Sequence, residues 1–306
     1  MKLSDLTVAI VTYKRPEKLK RCLESIGKQT KLPKQVLIVD NDSAKSAQKV
    51  ANKFRKKLPI KYAVEQKRGI PYARNKVLRL CRTKYLGFVD DDCVLDSKWV
   101  EVGTKAIKDA KSAYVLGKTL LLNKESVAQA QHARHLRWFF YKFNGRATSP
   151  FSVDTKNIIF LAEMINNEEF LFDKNMSVEG YDSSDTDLGL QLKKAGLKGF
   201  YEDKMIVYHQ ETNDFLGFIK KAYYRGTLAA KINHKWKLKG EFVDLSERNF
   251  LKWFWNVRIW PKDFKRYQGI LEGNVAKKIE TFILIKCFDR IFLQGFLDES
   301  KSKGPS

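Results

Sequence analysis

Short apolar runs alternate with helix-patterned segments along the first third of the chain. Residues 6–12, 35–39, 60–64 and 85–89 are rich in β-branched and aromatic residues and have the length of strands. Segments 16–26 and 72–81 place apolar residues three and four positions apart, as a helix with one buried face does. Strands and helices in this order predict an α/β, Rossmann-like fold with a mainly parallel sheet flanked by helices.

Two of these strands are followed by carboxylates. The second leads into Asp40 and Asp42, and the fourth into Asp90, Asp91 and Asp92. Ligands of such sheets bind beyond the carboxyl ends of the strands, so we expect both groups to share one crevice. Adjacent carboxylates are costly to desolvate unless a cation lies among them, and a hard divalent metal prefers carboxylate oxygens. A solvated turn is the alternative, since aspartate is common in turns.

The chain is strongly basic, with a formal net charge of +23. This charge indicates an anionic partner: nucleic acid, an anionic membrane surface or phosphorylated substrates. The four cysteines have neither metal-ligand nor redox spacing, which favours a reducing compartment. Because the first residues lead directly into a strand pattern, we expect no signal peptide. The sequence contains no stretch of about 18 uncharged apolar residues, so we expect no transmembrane helix.

A second acidic segment begins a helix pattern later in the chain. Asp182, Asp185 and Asp187 lie within six residues of one another, just before the apolar positions of that helix. Capping of a helix N-terminus explains one or two acids, but not three. A last strand at 205–208 is followed by His209.

Several segments, in their order and spacing, resemble family 2 of the nucleotide-sugar glycosyltransferases over roughly residues 6–212. They include Thr12-Tyr13-Lys14-Arg15-Pro16, Val39-Asp40-Asn41-Asp42-Ser43, Ala73-Arg74-Asn75, Phe88-Val89-Asp90-Asp91-Asp92, Asp185-Thr186-Asp187 and Val207-Tyr208-His209. The resemblance implies the GT-A fold, a nucleotide-sugar donor for which UDP is favoured, and inversion at the anomeric carbon.

The resemblance also implies roles on the donor side. The residues expected to bind the nucleotide sugar are Thr12, Tyr13, Arg15, Asp40, Arg74, Asp90 and Asp91. Asp40 would contact the base or ribose. Asp90 and Asp92 match the Asp-x-Asp pair that holds Mn²⁺ or Mg²⁺, with Asp92 as the more direct ligand and Asp90 nearer the ribose. His209 matches a histidine that helps hold the metal or the pyrophosphate in some relatives, although a histidine after a strand is also commonly structural.

On the acceptor side, the resemblance implies that Asp185 is the general base. The family motif usually has glutamate before this acid, and here that position is Ser184. A shift of register would give the role to Asp187, which could otherwise support the base, or to Asp182.

The sequence predicts a catalytic domain over 1–212 and a basic helical C-terminal extension over 213–306. Within the first, 1–117 is the expected nucleotide-sugar half and 118–212 the acceptor half, with 123–160 less regular. The extension contains helix patterns at 215–232 and 279–297, and we expect disorder over 298–306. Its lysines and arginines are interleaved with Trp236, Trp253, Phe254, Trp255 and Trp260, which favours a membrane interface over a basic face exposed to solvent.

The sequence therefore predicts an inverting glycosyltransferase, peripheral on the cytoplasmic face of a bacterial membrane, that builds a surface polysaccharide on a saccharide or lipid-linked acceptor. A sugar nucleotidyltransferase is the alternative enzyme, but residues 12–16 lack the glycine-rich phosphate loop expected of it. A basic protein that binds nucleic acid or membrane without catalysis is the third reading. No nucleic acid is expected, since acids clustered at strand ends repel phosphate unless a metal intervenes.

Overall fold

A computed structural model describes residues 3–140, 153–165, 169–238, 264–265 and 267–302. The chain forms two compact units. The first comprises Met1–Leu122, Lys142–Gly180 and Ser184–Gln210, and the second comprises Asn123–Tyr141, Tyr181–Ser183 and Glu211–Ser306. The predicted catalytic domain and extension, divided at residues 212 and 213, stay predictions.

The first unit contains most of the strands. In chain order its elements are β1 (Ser4–Thr12), α1 (Pro16–Ile26), β2 (Pro33–Asp40), α2 (Gln48–Phe54), β3 (Ile60–Val64), α3 (Ile70–Leu80), β4 (Tyr85–Asp90), β5 (Cys93–Leu95), α4 (Trp99–Ala110), β6 (Tyr114–Leu121), β7 (Ile158–Leu161), β8 (Ser177–Val178), α6 (Ser184–Lys194) and β10 (Gly199–His209). The second unit contains α5 (Ser126–Phe140), β9 (Tyr181–Asp182), α7 (Phe215–Trp236) and α8 (Val275–Ser302).

Eight strands of the first unit form one sheet in the order β3-β2-β1-β4-β7-β6-β10-β5. Strands β3, β2, β1 and β4 are parallel neighbours, as are β6 and β10, whereas β7 and β5 pair antiparallel with their neighbours. The predicted mainly parallel α/β sheet is therefore confirmed. The prediction that 123–160 is less regular is wrong for α5 and for the start of β7. Strand β7 is a run of four apolar residues, which carries no alternation that distinguishes a strand.

The core of the first unit lies between the sheet and its helices. Val8 and Ile10 of β1 and Leu19 of α1 are fully buried, and each contributes about 1.5–3 kcal/mol through burial. Trp99 begins α4 inside this core, where its indole Nε1 donates to Oδ1 of Asn157 at 2.7 Å. The core therefore fixes the strands whose carboxyl ends carry the predicted site.

The second unit is helical. Phe218 of α7 and Phe288 of α8 pack edge to face with ring centroids 5.3 Å apart, and Arg134 of α5 pairs with Asp289 at 2.6 Å. The predicted helices at 215–232 and 279–297 are confirmed. The expectation of disorder over 298–306 is wrong through Ser302, since that residue ends α8 with helical backbone hydrogen bonding.

Part of the predicted basic-aromatic extension lies outside the described residues, namely Trp253, Phe254, Trp255 and Trp260. Among the helices that the structure describes, none has the length and apolar composition needed to cross a membrane.

Candidate functional site

The predicted donor residues meet at one edge of the sheet. Strand β1 lies between β2 and β4, with Thr12 opposite Asp40 and Val11 opposite Asp90. Asp91 and Asp92 follow in the turn that leads to β5. Parallel pairing with β1 thus brings the acidic ends of β2 and β4 to the same edge of the sheet, as expected.

Asp91 is the inner member of the acidic triad and is buried. Thr12 Oγ1 donates to its Oδ2 at 2.7 Å, and Arg15 Nη1 contacts its Oδ1 at 3.4 Å. Desolvation and the neighbouring charge of Asp92 raise the pKa of Asp91 to about 6, against the lowering effect of Arg15 and Thr12. Because protein donors occupy both oxygens, the geometry gives Asp91 the task of anchoring the turn rather than the predicted nucleotide contact.

Asp92 is the member that faces other charged side chains. His209 Nε2 lies 3.2 Å from its Oδ1, while Lys18 Nζ and Arg15 Nη1 lie 3.2 and 3.4 Å from its Oδ2. Desolvation opposes ionisation of this carboxyl, but the hydrogen bond and charge of His209, together with Lys18 and Arg15, bring the pKa of Asp92 below its ordinary value. The carboxylate is therefore held ionised among cationic groups.

Asp90, Asp92 and His209 form a cluster that could hold a metal. Each offers one ligand atom, and these atoms all lie within 4.8 Å of one another. Two carboxylates and one imidazole fit a divalent ion such as Mn²⁺, while Mg²⁺ more often takes an all-oxygen shell. These are the three residues for which the sequence predicted metal binding, and the fold brings them together from two distant segments.

Arg74 links the acidic triad to the start of α6. Its Nη2 lies 4.0 Å from Oδ1 of Asp90, and its Nη1 donates to Oγ of Ser184 at 3.4 Å. The guanidinium also lies over the ring of Phe172, 5.4 Å from the centroid. The position at which the resembled motif usually has glutamate is thus a buried serine that accepts a hydrogen bond from Arg74.

Asp40 has a different environment from the one predicted. It is fully buried, its Oδ1 accepts from the amide of Asp42, and its Oδ2 accepts from the amide of Ala47 and the hydroxyl of Tyr62 at 2.9 and 2.7 Å. A carboxylate with three protein donors and no exposed surface offers no oxygen to a base or ribose. The geometry therefore argues against the expected direct contact and indicates that Asp40 holds the loop after β2.

Tyr13 and Arg15 follow β1 on the outer side of the same edge. The cations of Lys14 and Arg68 lie 5.4 and 5.3 Å from the centroid of the Tyr13 ring. Lys14 has a left-handed backbone, with φ of 54°, which turns the chain before Pro16 begins α1. Both predicted residues remain near the surface, where a ligand can reach them.

The three acids proposed for the base differ in exposure. Asp187 is fully buried and its Oδ2 accepts from Nε2 of Gln191 at 2.8 Å, whereas Asp182 is 7% exposed. Asp185 is partly exposed and accepts from the amide of Thr186 at 2.7 Å. A base must reach its proton, so exposure favours Asp185 over the other two.

Sequence reasoning missed Lys18, Tyr62 and Asn41. Lys18 lies three residues after Arg15 at the start of the helix that follows β1. Residues three apart lie on one face of a helix, so this spacing could have indicated that Lys18 and Arg15 face the same site. Asn41 donates to the carbonyls of Glu65 and Lys67, and its Oδ1 accepts from the amide of Gly69. No local pattern indicates such long-range bonds.

Comparison with known proteins gives a family and a fold. Residues 7–166 match the family model described as glycosyl transferase family 2. The hyaluronan synthase of Pasteurella multocida is 22% identical over 242 residues, which is 67% of this chain and 24% of the synthase. The chain thus spans about a quarter of the length of that relative.

Solved structures agree at the level of the fold. The mannosyltransferase PcManGT from Pyrobaculum calidifontis, in complex with GDP-Man and Mn²⁺, has a TM-score of 0.64 at 13% identity, covering 99% of this chain and 89% of that one. S. aureus TarS 1-349, in complex with UDP-GlcNAc, has a TM-score of 0.54 at 15% identity, covering 96% and 92%. The expected GT-A fold is confirmed. Because the matched family model spans more than half of its residues, the chain belongs to glycosyl transferase family 2.

Proposed function

We propose that this chain is a metal-dependent, inverting glycosyltransferase that moves a sugar from a nucleotide-sugar donor to an acceptor hydroxyl. The observation that carries the proposal is the cluster of Asp90, Asp92 and His209 at the carboxyl edge of the sheet, in a chain that belongs to family 2. A separate, partly exposed acid, Asp185, lies in the first turn of α6.

The donor side requires neutralisation of a leaving diphosphate. Asp90, Asp92 and His209 would hold Mn²⁺ or Mg²⁺, which when bound would offset the charge of the phosphates. Arg15 extends over the same edge with a side chain 54% exposed, so its guanidinium can reach a ligand there. Thr12 and Asp91 fix the turn from which these groups project.

The acceptor side requires removal of a proton from the attacking hydroxyl. Asp185 takes that proton, a role that contributes about 10²–10⁴-fold to the rate. In an inverting reaction the base lies on the face of the sugar opposite the leaving group, so the base and the diphosphate-binding acids are different residues. Arg74 pairs with Asp90 at 4.0 Å and donates a hydrogen bond to Ser184, and so links the start of α6 to the donor residues.

The donor we favour is UDP-linked, and the acceptor is a saccharide or a lipid-linked saccharide in bacterial surface polysaccharide or glycoconjugate biosynthesis. UDP-GlcNAc in S. aureus TarS and GDP-Man in PcManGT support a nucleotide-sugar donor. The matched hyaluronan synthase supports a saccharide product.

A thermal-shift screen against nucleotide sugars tests this function. We expect one nucleotide sugar to raise Tm in the presence of Mn²⁺ and to lose that effect in EDTA, because a ligand at 100 times its Kd stabilises by about 2.7 kcal/mol. The Asp92→Ala variant should lose the Mn²⁺-dependent shift. Incubation of the best donor should then release a nucleoside diphosphate, and release of inorganic pyrophosphate from a sugar phosphate and a nucleoside triphosphate would instead favour a nucleotidyltransferase.

We also propose that the protein lies on the cytoplasmic face of the cell membrane through its basic C-terminal part. The formal net charge of +23 supports this, since each basic residue near an anionic leaflet contributes about 1 kcal/mol. The protein should sediment with vesicles containing anionic phospholipid at low salt, and not with neutral vesicles or in about 1 M NaCl. Equal recovery in the supernatant with both vesicle types would overturn this location.

A further inference from the structure

The acidic triad is matched by an equal number of permanent cations. Arg15 and Lys18 contact Asp92, Arg15 also contacts Asp91, and Arg74 lies 4.0 Å from Asp90. Three carboxylates therefore face three basic side chains within one edge of the sheet.

Lys18 and a metal ion would bind the same carboxylate. Lys18 Nζ lies 3.2 Å from Oδ2 of Asp92, and the ligand atoms of the metal cluster include an oxygen of Asp92. A cation near Asp92 is repelled by the ammonium group, because like charges a few ångströms apart interact strongly where water is partly excluded. Contact of Lys18 with Asp92 therefore opposes metal binding.

Lys18 is also able to change partner. Its side chain is 32% exposed, against 10% for Asp92, and it carries a single ammonium on a flexible stem. It extends from the first turn of α1, which begins directly after the β1 loop at the edge where the donor diphosphate is expected. The oxygens of a diphosphate are stronger partners for an ammonium than a carboxylate already shared with Arg15 and His209.

We propose that Lys18 is a donor-site residue that exchanges Asp92 for the diphosphate of the nucleotide, and that this exchange makes metal and nucleotide bind cooperatively. The inference rests on the proposed function. When the diphosphate arrives, Lys18 turns to its oxygens and leaves Asp92 to the metal. By linkage, the nucleotide then raises metal affinity by the same factor by which the metal raises nucleotide affinity.

Lys18 is a sharper probe of this exchange than Arg15. Arg15 contacts Asp91 as well as Asp92, so its removal would also disturb the anchored turn. The ammonium of Lys18 contacts only Asp92 among the triad, and Lys18→Met keeps the length of the apolar stem. Lys18→Arg keeps the charge. Lys34→Met is a matched control, because Lys34 pairs with the exposed Asp5 at 3.1 Å, near the start of β2 and outside the site.

The experiment is a titration of the whole protein with Mn²⁺, followed by calorimetry or electron paramagnetic resonance, with and without UDP. Wild-type protein should bind Mn²⁺ weakly alone and at least about tenfold more tightly with UDP, within the usual range of coupling. Lys18→Met should bind Mn²⁺ alone about three- to tenfold more tightly than wild type and bind UDP more weakly. The coupling between Mn²⁺ and UDP should fall by the part that Lys18 contributes, while the direct attraction between metal and diphosphate remains. Lys18→Arg and Lys34→Met should retain the wild-type coupling between Mn²⁺ and UDP.

Two results would overturn the inference while leaving the proposed function in place. One is wild-type coupling in Lys18→Met. The other is weaker binding of Mn²⁺ alone in Lys18→Met, which would mean that Lys18 merely positions Asp92. If wild-type protein binds neither Mn²⁺ nor any nucleotide, the proposed function fails, and this inference fails with it.

Discussion

His209 Nε2 lies 3.2 Å from Oδ1 of Asp92, although the two residues are far apart in the sequence. Backbone pairing produces this contact. Strand β10 runs antiparallel to β5, with His209 opposite Cys93, and the amide of Gln210 donates to the carbonyl of Asp92 at 3.1 Å. On its other side, His209 accepts from the amide of Leu122. An imidazole on a strand held from both sides is well positioned to act as a ligand.

Replacement of His209 by alanine should therefore weaken metal binding. We expect the Kd of the protein for Mn²⁺ to rise at least about 10-fold, since loss of a group that only supports a metal ligand already costs about 10–100-fold. His234→Ala, on α7 and outside the cluster, serves as the control. Titration of Mn²⁺ in the presence of UDP measures both variants, and an unchanged Kd for His209→Ala would show that this histidine is structural.

Asp185 and Asp187 should separate into a catalytic and a structural residue. Asp185→Asn should lower kcat about 10²–10⁴-fold while donor affinity stays at the wild-type value, because the base acts on the acceptor only. Asp187→Ala should instead lower the free energy of unfolding by about 1–3 kcal/mol, since Asp187 is fully buried and bonded to Gln191.

Steady-state kinetics and urea unfolding of the same two variants distinguish these roles. Substantial turnover in Asp185→Asn would transfer the role of base to a neighbouring acid. Normal stability with lost turnover in Asp187→Ala would identify that acid as Asp187.

The first strands and the acidic edge could be predicted because their signals are local. A β-branched run followed by acids can be recognised within about ten residues, and parallel pairing then places such ends together, as Thr12 and Asp40 show. The role of Asp40 could not be predicted in this way. Whether a carboxylate faces a ligand or its own loop depends on Tyr62 of the neighbouring strand and on the amide of Ala47, neither of which is marked by sequence spacing.

The partners of Lys18 illustrate the same limit on the site. Its place on α1 follows from the helix pattern, but its contact with Asp92 depends on how far α1 lies from the turn after β4.

Helix α5 was missed for a related reason. Its basic and aromatic residues give a weak apolar period, and its place beside α7 and α8 comes from tertiary contacts such as Arg134 with Asp289.

Tyr114 should make the stability of the protein depend on alkaline pH. It is 4% exposed on β6, and desolvation raises the pKa of its hydroxyl to about 12. The unfolded chain ionises near pH 10, so the contribution of Tyr114 is complete below that pH and is lost as the pH rises from about 10 to about 12. Over this range wild type should lose up to about 2.7 kcal/mol relative to Tyr114→Phe.

Urea unfolding of the two proteins at pH 8 and pH 11 measures this difference. A gap between their free energies of unfolding that is the same at both pH values would contradict the prediction. Because lysines titrate equally in both proteins, the comparison isolates the tyrosine.

In the second unit, Gly226 of α7 and Gly295 of α8 should both resist substitution by alanine. A Cβ at Gly226 would overlap the carbonyl oxygen of Phe292, and a Cβ at Gly295 would overlap that of Tyr223. Helix propensity alone would make glycine-to-alanine stabilising by about 1 kcal/mol, so the two effects have opposite signs. The overlap is with backbone, which cannot rotate away, and overpacking of this kind costs about 1–3 kcal/mol or more.

We therefore expect Gly226→Ala and Gly295→Ala to lower the free energy of unfolding by at least about 1 kcal/mol, measured by urea titration of the helical circular dichroism signal. Gly269→Ala is a control for a glycine without crowding, because this residue lies in a turn and a Cβ there would meet no atom within 4 Å. If either helical variant is more stable than wild type, helix propensity outweighs the packing cost. In that case α7 and α8 are not in close contact at these glycines. If both lose stability while Gly269→Ala does not, the close approach of the two helices holds the second unit together.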